Sequence, residues 1–265
     1  MAEEHIWPLY GLRVTTPRLE LRLPGLAALA ELAAVAADGV HDEARMPFTV
    51  PWTDGGPEAR ARATFQHVLG TVANWRPEEW TLSLAVRHGR DGDGDGDGDG
   101  DGGRIVGRQD LSAAGFAVTR EAETGSWLGL AHQGRGIGTE MRAAVLHLAF
   151  AGLGARCVTS AAMTDTPASL AVSRKLGYAP DGLVTAAVRG EARTVRRLRL
   201  DRAAWEAHRT VPVEIRGLEP CRALFGAQGG AGTAFPGNLV ASGADGRRRS
   251  PRAPHRGNHT GEAGT

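Results

Sequence analysis

A short glycine-rich segment in the middle of the chain, Gln133–Gly138, has the composition of a phosphate-binding turn. Glycine can adopt positive φ and lets the backbone come close to a ligand. The residues after the turn have helical spacing, and the first turn of a helix offers unpaired N–H groups and a positive dipole end. Together these features favour a pyrophosphate without requiring a lysine. We therefore expect the phosphate contacts to come from Gln133, Gly134, Arg135, Gly136, Ile137, Gly138 and Thr139.

Three other interpretations of this turn have to be weighed. A P-loop would end in Gly-Lys-Ser/Thr, whereas Thr139 follows Gly138 directly here. A dinucleotide-binding turn would read Gly-x-Gly-x-x-Gly, and the spacing here is Gly-x-Gly-x-Gly. An ordinary tight turn between a strand and a helix needs no ligand, and the turn taken alone does not exclude it.

A second polar feature lies downstream, in the segment Thr166–Tyr178. Pro167 suits the first position of a helix and Gly177 suits its C-terminal cap. Hydroxyl side chains recur along this helix at i, i+3 and i+7, in Thr166, Ser169 and Ser173. Such a stripe could hydrogen-bond a polar, amide-bearing ligand beside the phosphate turn. The alternative is that the small serines only permit close helix packing.

The elements that must position these residues follow from hydrophobic periodicity. Alternating residues predict strands at 12–23, Trp80–Arg87, Arg104–Gln109, Glu123–Leu130 and Cys157–Ala162, and a closing hairpin of Val184–Val188 with Thr194–Leu200. Apolar residues at helical spacing predict helices at Leu26–Ala37, Pro57–Ala73, Thr139–Gly152 and Pro167–Leu176.

Two segments have a composition that does not predict a packed structure. Residues 91–102 are a pure Asp-Gly alternation between two predicted strands, which we interpret as a low-complexity hairpin insert. Calcium binding by its carboxylates is the alternative, but no glutamate or fixed register supports it. Residues 228–265 are rich in Gly, Ala and Arg without periodicity, and we predict a disordered tail.

Charge and cysteine content exclude several classes of function. The chain has 265 residues and a net charge of +1, which gives no bias toward nucleic acid or a membrane surface. Its two cysteines have no metal-ligand spacing and form no disulfide framework, so we expect a reducing compartment and no metal. The acidic start lacks an apolar run after it, and we expect a cytoplasmic protein without a signal peptide or membrane span.

The ordered combination of motifs resembles the GNAT superfamily of acyltransferases. Gln133–Gly138 is similar to its Gln/Arg-x-x-Gly-x-Gly/Ala coenzyme A motif, and Thr166–Tyr178 resembles its later Asn-x-x-Ser/Ala…Lys-Leu-Gly-Phe/Tyr segment. The run Thr15-Pro17-Arg18-Leu19, with Trp127 and Gly177-Tyr178, is similar to the branch of ribosomal-protein alanine acetyltransferases. The fuller resemblance spans roughly residues 6–227 and points to an actinobacterial sub-branch that includes a protein associated with succinyl-coenzyme A.

The resemblance implies an α/β (α+β) fold for residues 6–227, with a mixed central sheet splayed after its fourth core strand and helices on both faces. The pantetheine arm of acyl-coenzyme A (acyl-CoA) would pair with the backbone of Leu128 and Leu130 in the gap, and the hydroxyl of Thr166 would replace the family's asparagine. An amine would attack the thioester directly, without a covalent intermediate. Ser173 stands where the family often has a tyrosine that protonates the thiolate; Ser169 is the neighbouring candidate, and Glu123 with a water molecule is the alternative.

The acceptor side is less defined by the sequence. Candidate pocket residues are Phe48, Trp52, Phe116, Arg120, Glu121 and Glu123, and Arg120 could bind the carboxylate of a succinyl group. The amine could belong to a protein N-terminus, a lysine or a small molecule, and a homodimer is one option for the assembly. Two alternatives of another class stay open: a non-catalytic acyl-CoA-binding module, and an interaction protein that uses the arginine-rich tail.

Overall fold

The computed structural model describes residues 3–89 and 103–227. The Asp-Gly tract and the segment 228–265, with the interpretations given for them, lie outside the described residues. The helices are α1 Glu3–Ile6, α2 Leu26–Ala37, α3 Pro57–Ala73, α4 Phe116–Thr119, α5 Ile137–His147, α6 Pro167–Lys175 and α7 Arg202–His208. The strands are β1 Arg13–Thr15, β2 Leu19–Arg22, β3 Glu79–His88, β4 Arg104–Ala114, β5 Glu121–Leu128, β6 Cys157–Met163, β7 Ala179–Val188, β8 Glu191–Asp201 and β9 Glu214–Arg216.

The nine strands form one mixed sheet in the order β7-β8-β6-β5-β4-β3-β2-β1-β9. Only β5 and β6 pair in parallel, because α5 lies between them in the chain and a crossover returns the chain in the same direction. All other neighbours are antiparallel, including the β3–β4 hairpin that flanks the Asp-Gly tract and the closing hairpin β7–β8. The predicted α/β class with a mixed sheet is confirmed.

Alternate residues of the strands enter two separate cores, one on each face of the sheet. On the α5 face, Leu82 and Leu84 of β3 pack with Met141 and Val145 of α5. On the α3 face, side chains of α2 and α3 cover Ala85, Ile105 and Trp127. Because a strand turns successive side chains to opposite faces, helices are required on both sides, as the resemblance implies.

The structure departs from the predicted elements at two places. Residues 12–23 form two antiparallel strands, since the Thr16 hydroxyl accepts a hydrogen bond from the Leu19 N–H at 3.0 Å and closes a turn. The predicted helix Thr139–Gly152 ends as α5 at His147 and continues as a wider π-helical turn over Leu148–Gly152. A Cβ on Gly152 would lie 3.0 Å from Leu218, so the β9 region packs closely against that turn.

The last described residues belong to the main core. β9 pairs with β1 and so completes the sheet edge opposite β7. The indole N–H groups of Trp75 and Trp80 donate to the carbonyls of Leu224 and Phe225, at 2.9 and 3.3 Å. Within residues 3–89 and 103–227, no helix has the length and apolar character needed to cross a membrane.

Candidate active site

The parallel ladder between β5 and β6 ends early and opens a gap in the middle of the sheet. Pairing runs from Glu121 and Cys157 to Thr124 and Ser160, and no further pair forms, although β5 continues to Leu128. On its other edge β5 stays paired with β4 through Leu128. The gap is the splay that the resemblance implies.

Backbone groups of β5 point into this gap. The Gly129 N–H donates to Val106 of β4 at 3.0 Å, which fixes which residues of the strand face β4. By the alternation of a β-strand, Ser126 and Leu128 direct their N–H and C=O groups to the opposite side, where β6 has diverged. An extended amide chain could pair there as an additional strand.

The glycine-rich turn closes one end of the gap. Gly134 and Gly136 have φ of 76° and 79°, a region that glycine adopts without strain. Gly136 is the N-terminal cap of α5, and no side chain caps the helix there. The N–H groups of Ile137 and Gly138 therefore remain available to an anion, whereas that of Thr139 donates to the Gly136 carbonyl at 3.1 Å. The helix dipole adds partial positive charge at this end.

The Gln133 side chain has a structural role rather than a free position at the ligand. Its amide donates to the carbonyls of Val40 and Leu128, at 2.8 and 2.9 Å. The Leu130 N–H donates to Gly39 at 3.0 Å. These bonds fix the turn against the loop after α2. The Leu130 carbonyl also accepts from the Gln133 N–H at 3.3 Å. Leu130 therefore keeps one acceptor site for a ligand, and Leu128 keeps its N–H and one acceptor site.

A buried carboxylate anchors the start of α5 to the turn between β1 and β2. Glu140 accepts from the Thr16 hydroxyl at 2.6 Å and from the Nε of Arg18 at 2.7 Å. The Arg18 guanidinium also donates to the carbonyl of Arg135 at 3.2 Å. Burial disfavours the charged form of Glu140, but these hydrogen bonds outweigh it, so the pKa lies below the ordinary value.

Arg18 adds a cation beside the phosphate turn that the sequence did not single out for this role. One of its terminal nitrogens lies 3.5 Å from the position a Cβ would take on Gly136. Its side chain is 46% exposed, so part of the guanidinium faces solvent at the turn. The sequence analysis named Arg18 as part of the Thr15–Leu19 motif. The spacing of that motif could not show that Arg18 lies next to Gly136.

A buried arginine spans the gap behind the ligand path. Arg142 of α5 is 6% exposed and donates to the hydroxyls of Ser173 and Ser126, at 2.9 and 3.2 Å. Its Nε has no hydrogen-bond partner among the described residues, and no carboxylate there lies within ion-pair distance. Burial lowers the pKa of Arg142, as expected for a cation without a counter-ion.

The nearest acidic group to this arginine stays neutral. Burial raises the pKa of Tyr178 to about 12, even though the positive charge of Arg142 opposes that shift. The Tyr178 hydroxyl shares a hydrogen bond of 3.2 Å with Thr124, at the last pair of the β5–β6 ladder. Tyr178 therefore positions the end of the ladder and does not neutralise Arg142.

On the α3 face, a groove runs over the paired part of the β5–β6 ladder and reaches Glu123 and Thr159, one pair before the ladder ends. We call it the α3 groove; it consists of two adjoining hollows of about 460 and 400 Å³ that share Glu79, Trp80 and Thr81. His67 of α3 lines the first hollow and Glu123 of β5 the second. The Asp110 carboxylate of β4 lies 3.8 Å from His67, in the row of the sheet that contains Gly125.

An aromatic loop covers the α3 side of the gap. Phe48 stacks near Trp52 at 5.3 Å between ring centroids, and Trp52 near Trp127 of β5 at 5.8 Å. Met46 of the same loop packs against Met163 at the end of β6. The loop thus bridges the two strands where they diverge. Arg189 at the tip of the β7–β8 hairpin pairs with Asp54 and holds the loop from the other side.

The family is now identifiable. The sequence model for the acetyltransferase (GNAT) domain matches residues 18–179, which include the gap, the phosphate turn and α6. The chain belongs to the GNAT acetyltransferase family. It is therefore an acyl-CoA-dependent N-acyltransferase, which moves an acyl group from coenzyme A (CoA) to an amine, rather than a non-catalytic binding module.

Solved structures of GNAT acetyltransferases share this fold at low sequence identity. RimJ of Mycobacterium smegmatis, in complex with CoA-disulfide, is 20% identical; the match covers 74% of this chain and 89% of that chain, with a TM-score of 0.57. A GCN5-related N-acetyltransferase from Brucella melitensis is 19% identical over 74% and 81%, with a TM-score of 0.55. RimL, a ribosomal L7/L12 alpha-N-protein acetyltransferase in complex with CoA, is 18% identical over 71% and 97%, with a TM-score of 0.52.

The GNAT fold brings most of the predicted site residues together. Leu128, the turn 133–139, Thr166, Ser169 and Ser173 surround the gap from the α5 face, while Phe48, Trp52 and Glu123 lie on the α3 face. Thr166 is the N-terminal cap residue of α6, but its hydroxyl forms no capping hydrogen bond. Ser173 is buried, and its hydroxyl donates to the Ser169 carbonyl at 3.1 Å.

Arg120 lies away from the gap. It precedes β5, at the paired end of the strand, and its guanidinium covers the ring of buried Phe116 at 5.5 Å. Glu121, the next residue, pairs with Arg199 at 2.7 Å. Strand direction explains the separation, because the gap opens at the other end of β5. Arg142, His67 and Asp110 were missed as site residues, since their contacts join elements far apart in the chain.

The first prediction concerns the charge of Glu140. We expect Glu140→Gln to lower the free energy of unfolding at neutral pH by about 1–3 kcal/mol, because charged hydrogen bonds to Thr16 and Arg18 are lost. A folded-state pKa below the unfolded one stabilises the protein above the unfolded pKa, and this stabilisation disappears as pH falls through the folded pKa. Denaturant unfolding of both proteins should therefore converge in acid.

Glu206→Gln is the matched control for that experiment, since Glu206 forms an exposed pair with Arg202 at 3.7 Å. Its effect should stay below about 0.5 kcal/mol. Equal losses in the two variants, or a difference for Glu140→Gln that persists in acid, would contradict the assigned anchor.

The second prediction tests the phosphate turn. Gly136→Asp should weaken acetyl-CoA binding by more than about tenfold relative to Gly136→Asn, because only the aspartate repels the pyrophosphate and competes for Arg18. Both residues have the same shape and tolerate positive φ comparably, so backbone strain cancels in the comparison. Calorimetric titration measures both affinities. Equal affinities would contradict the assignment of this turn as the pyrophosphate site.

Proposed function

We propose that this GNAT enzyme acetylates a primary amine with acetyl-CoA as donor, the amine entering from the α3 face and the donor from the α5 face. The observation that carries the proposal is the early end of the β5–β6 ladder at Thr124 and Ser160. That end leaves an opening in the sheet beside the phosphate turn, and the α3 groove ends on the opposite face one pair away, at Glu123 and Thr159. The two substrates would then enter from opposite faces of the sheet.

The donor would be held along the α5 face. Its pyrophosphate would contact the N–H groups of the turn Gln133–Gly138 and of Thr139, with Arg18 as an additional cation. Its pantetheine amides would pair with backbone groups of Ser126, Leu128 and the Leu130 carbonyl, and with the hydroxyl of Thr166. Thr166 offers a single hydroxyl where an asparagine would offer both an amide donor and an acceptor.

The chemistry requires a neutral amine, a polarised carbonyl and a proton for the leaving thiolate. The amine nitrogen attacks the thioester carbon, and the carbonyl oxygen becomes negative while the C–N bond forms. Backbone N–H groups of β5 that face the gap can donate to that oxygen. When the C–S bond breaks, the sulfur takes the electron pair and then a proton.

Ser173 is the candidate donor of that proton. A serine hydroxyl alone is a weak acid, but the Arg142 guanidinium donates to its oxygen at 2.9 Å and stabilises negative charge there. The hydroxyl would have to exchange its hydrogen bond with the Ser169 carbonyl for one with the sulfur. Arg142 thus explains how a buried serine can stand where the family often has a tyrosine.

A succinyl donor is the second candidate, and Arg142 is also the observation that favours it. A buried guanidinium with a free Nε and no carboxylate partner could bind the terminal carboxylate of a succinyl group. Arg120, the residue expected for that role, lies at the wrong end of β5. The membership in a succinyl-CoA-using sub-branch rests on the sequence resemblance alone.

The acceptor class follows from the neighbours and from the groove. RimL is named as a ribosomal L7/L12 alpha-N-protein acetyltransferase, and another neighbour, from Vibrio cholerae, is named as a putative ribosomal-protein-serine acetyltransferase. A protein N-terminal amine fits the same reaction. The Phe48 and Trp52 rings would line the path of the acceptor side chain beside the gap. A lysine or a small amine would enter by the same route. The cytoplasmic location and a homodimer stay predictions.

A panel of donors and acceptors tests the proposal. The full-length protein is incubated with acetyl-CoA or succinyl-CoA and with an N-terminal peptide, a lysine peptide blocked at its N-terminus, and a polyamine. Mass spectrometry reports the acyl group and the modified nitrogen. We expect acetylation of at least one amine; succinylation alone would select the second donor, and binding of CoA without turnover of any amine would contradict the proposed reaction.

Ser173→Ala is expected to lower kcat about tenfold, the effect of about 1.4 kcal/mol from one lost transition-state hydrogen bond. The affinity for acetyl-CoA should change less, because the contact strengthens only as the thiolate develops. Ser169→Ala is the comparison, since only the backbone carbonyl of Ser169 contacts Ser173. Unchanged rates in both variants, or a trapped acyl-serine in the native enzyme, would refute this role.

A further inference from the structure

A histidine and a carboxylate meet on the α3 face directly beside the gap. His67 Nε2 lies 3.8 Å from Asp110 Oδ2, and the same oxygen accepts an ion pair from Arg108 at 2.9 Å. The other oxygen, Oδ1, is buried without a hydrogen-bond partner among the described residues. A shift of the imidazole by about 1 Å would complete a hydrogen bond, and such contacts are often long before substrate binds.

The charge of Asp110 is secured by its neighbours. Burial alone would raise the pKa of this carboxyl, but Arg108 and His67 outweigh burial and bring the pKa below its ordinary value. The carboxylate is thus ionised at neutral pH and attracts the N–H of the imidazole at Nε2. An imidazole that donates from Nε2 carries its lone pair on Nδ1 when it is neutral. The side chain of His67 is 44% exposed and lines the α3 groove, so Nδ1 is accessible to a substrate.

The pair lies at the position where an amine would reach the thioester. Asp110 is the register partner of Gly125, the first residue of β5 beyond the last pair with β6. A Cβ on Gly125 would lie 3.8 Å from Asp110 Oδ2, and the glycine leaves that space open. No side chain of β5 therefore separates the pair from the gap.

The surrounding groove suits a cationic acceptor. Three glutamates line it, of which Glu79 pairs with Arg76 and Glu121 with Arg199, both at 2.7 Å, which leaves Glu123 to attract a cation. The charged groups around His67 are Asp110 and Arg108 from β4, with Arg76 and Glu79 in the same hollow and Glu123 in the adjoining one. An ammonium group that Glu123 attracts has to lose a proton before it can attack.

We propose that His67 is the catalytic base, which accepts this proton at Nδ1, and that Asp110 is the residue that positions it. The inference rests on the proposed acyl transfer. One proton of the ammonium passes to His67 and later to solvent through the groove. The neutral amine then forms the C–N bond as the C–S bond breaks, and its second excess proton ends on the sulfur, so that an amide, the free thiol of CoA and one released proton result.

Glu123 is the competing base, because it lies in the same groove one residue before the last ladder pair. It is exposed, and nothing on the described surface orients its carboxylate toward the gap. An imidazole is also better matched than a carboxylate to proton transfer near neutral pH. The two candidates can be distinguished by whether a small base added to the buffer restores the rate of the variant that lacks His67.

The experiment compares His67→Ala, His67→Gln, Asp110→Asn and Glu123→Gln with the native enzyme at saturating donor. His67→Ala should lower kcat/KM for the amine by about a hundredfold or more, and imidazole added to the buffer should restore part of it. The limb of the pH profile that rises through neutral pH should disappear in both His67 variants. Asp110→Asn should lower the rate less and keep that limb.

Acetyl-CoA affinity, measured by calorimetry, should be unchanged in all four variants. A lower rate can then not be attributed to weaker binding of the donor. His5→Ala, which removes an exposed histidine of α1, is the matched control and should behave as native. The assignment of His67 as the base would be overturned if His67→Ala keeps the native rate, or if added imidazole does not raise the rate of that variant. Loss of the rising limb of the pH profile in Glu123→Gln alone would instead identify Glu123 as the base. Absence of turnover in the native enzyme would instead be a failure of the proposed function.

Discussion

The end of the β5–β6 ladder at Thr124 and Ser160 is the constraint on which the rest of this structure depends. A strand in the middle of a sheet normally has partners on both edges, and unpaired backbone groups in the interior are costly. Past Thr124, β5 has only β4. The chain compensates with side chains: Gln133 binds the Leu128 carbonyl, Tyr178 bonds to Thr124, and Arg142 reaches across to β5. What remains open is the part that a ligand can fill.

Charge is distributed unequally around that opening. The α5 face presents Arg18 at the phosphate turn and Arg142 behind the gap. On the α3 face, Glu123 is an exposed carboxylate, while the other two glutamates of the groove, Glu79 and Glu121, pair with Arg76 and Arg199. An anionic donor and a cationic acceptor would each meet the opposite charge on its own side of the sheet. Arg142 is buried without a carboxylate partner among the described residues, and burial lowers its pKa, so negative charge that develops in the gap would be attracted to it.

Local sequence predicted most of the long helices and strands, and the site residues named from it stay predictions. Pro57 and the residues before Asn74 delimit α3, and the bounds of α2 and α3 agree with the prediction to the residue. The phosphate turn was recognisable because its glycines and its helix are consecutive. The break between β1 and β2 was missed, since it depends on one side-chain hydrogen bond from Leu19 to Thr16. The π-helical turn after His147 depends on contacts of Gly152 with the β9 region, which periodicity does not reveal.

The acceptor side was less accessible to sequence reasoning for a physical reason. The contact between His67 and Asp110 joins a helix to a strand two elements later, and only the register of β3, β4 and β5 brings it to Gly125. Arg120 shows the reverse case. Its residue type suited a carboxylate clamp, but its distance from the gap follows from the direction of β5, which no local pattern records. Arg142 lies in an otherwise apolar helix segment, and that anomaly was the only signal available for it.

The two cysteines have a practical consequence for how this enzyme can be observed. Cys157 begins β6 and Cys221 lies in a short turn after β9; they are 1% and 0% exposed. Burial raises the pKa of both thiols, that of Cys221 to about 11, so that neither presents a reactive thiolate at neutral pH. A disulfide dye added to the folded enzyme will therefore react with the thiol of released CoA and not with the two buried cysteines. The same dye also reports opening of the structure, because Cys157 inside the sheet and Cys221 in the turn after β9 become reactive only when the segments around them are exposed.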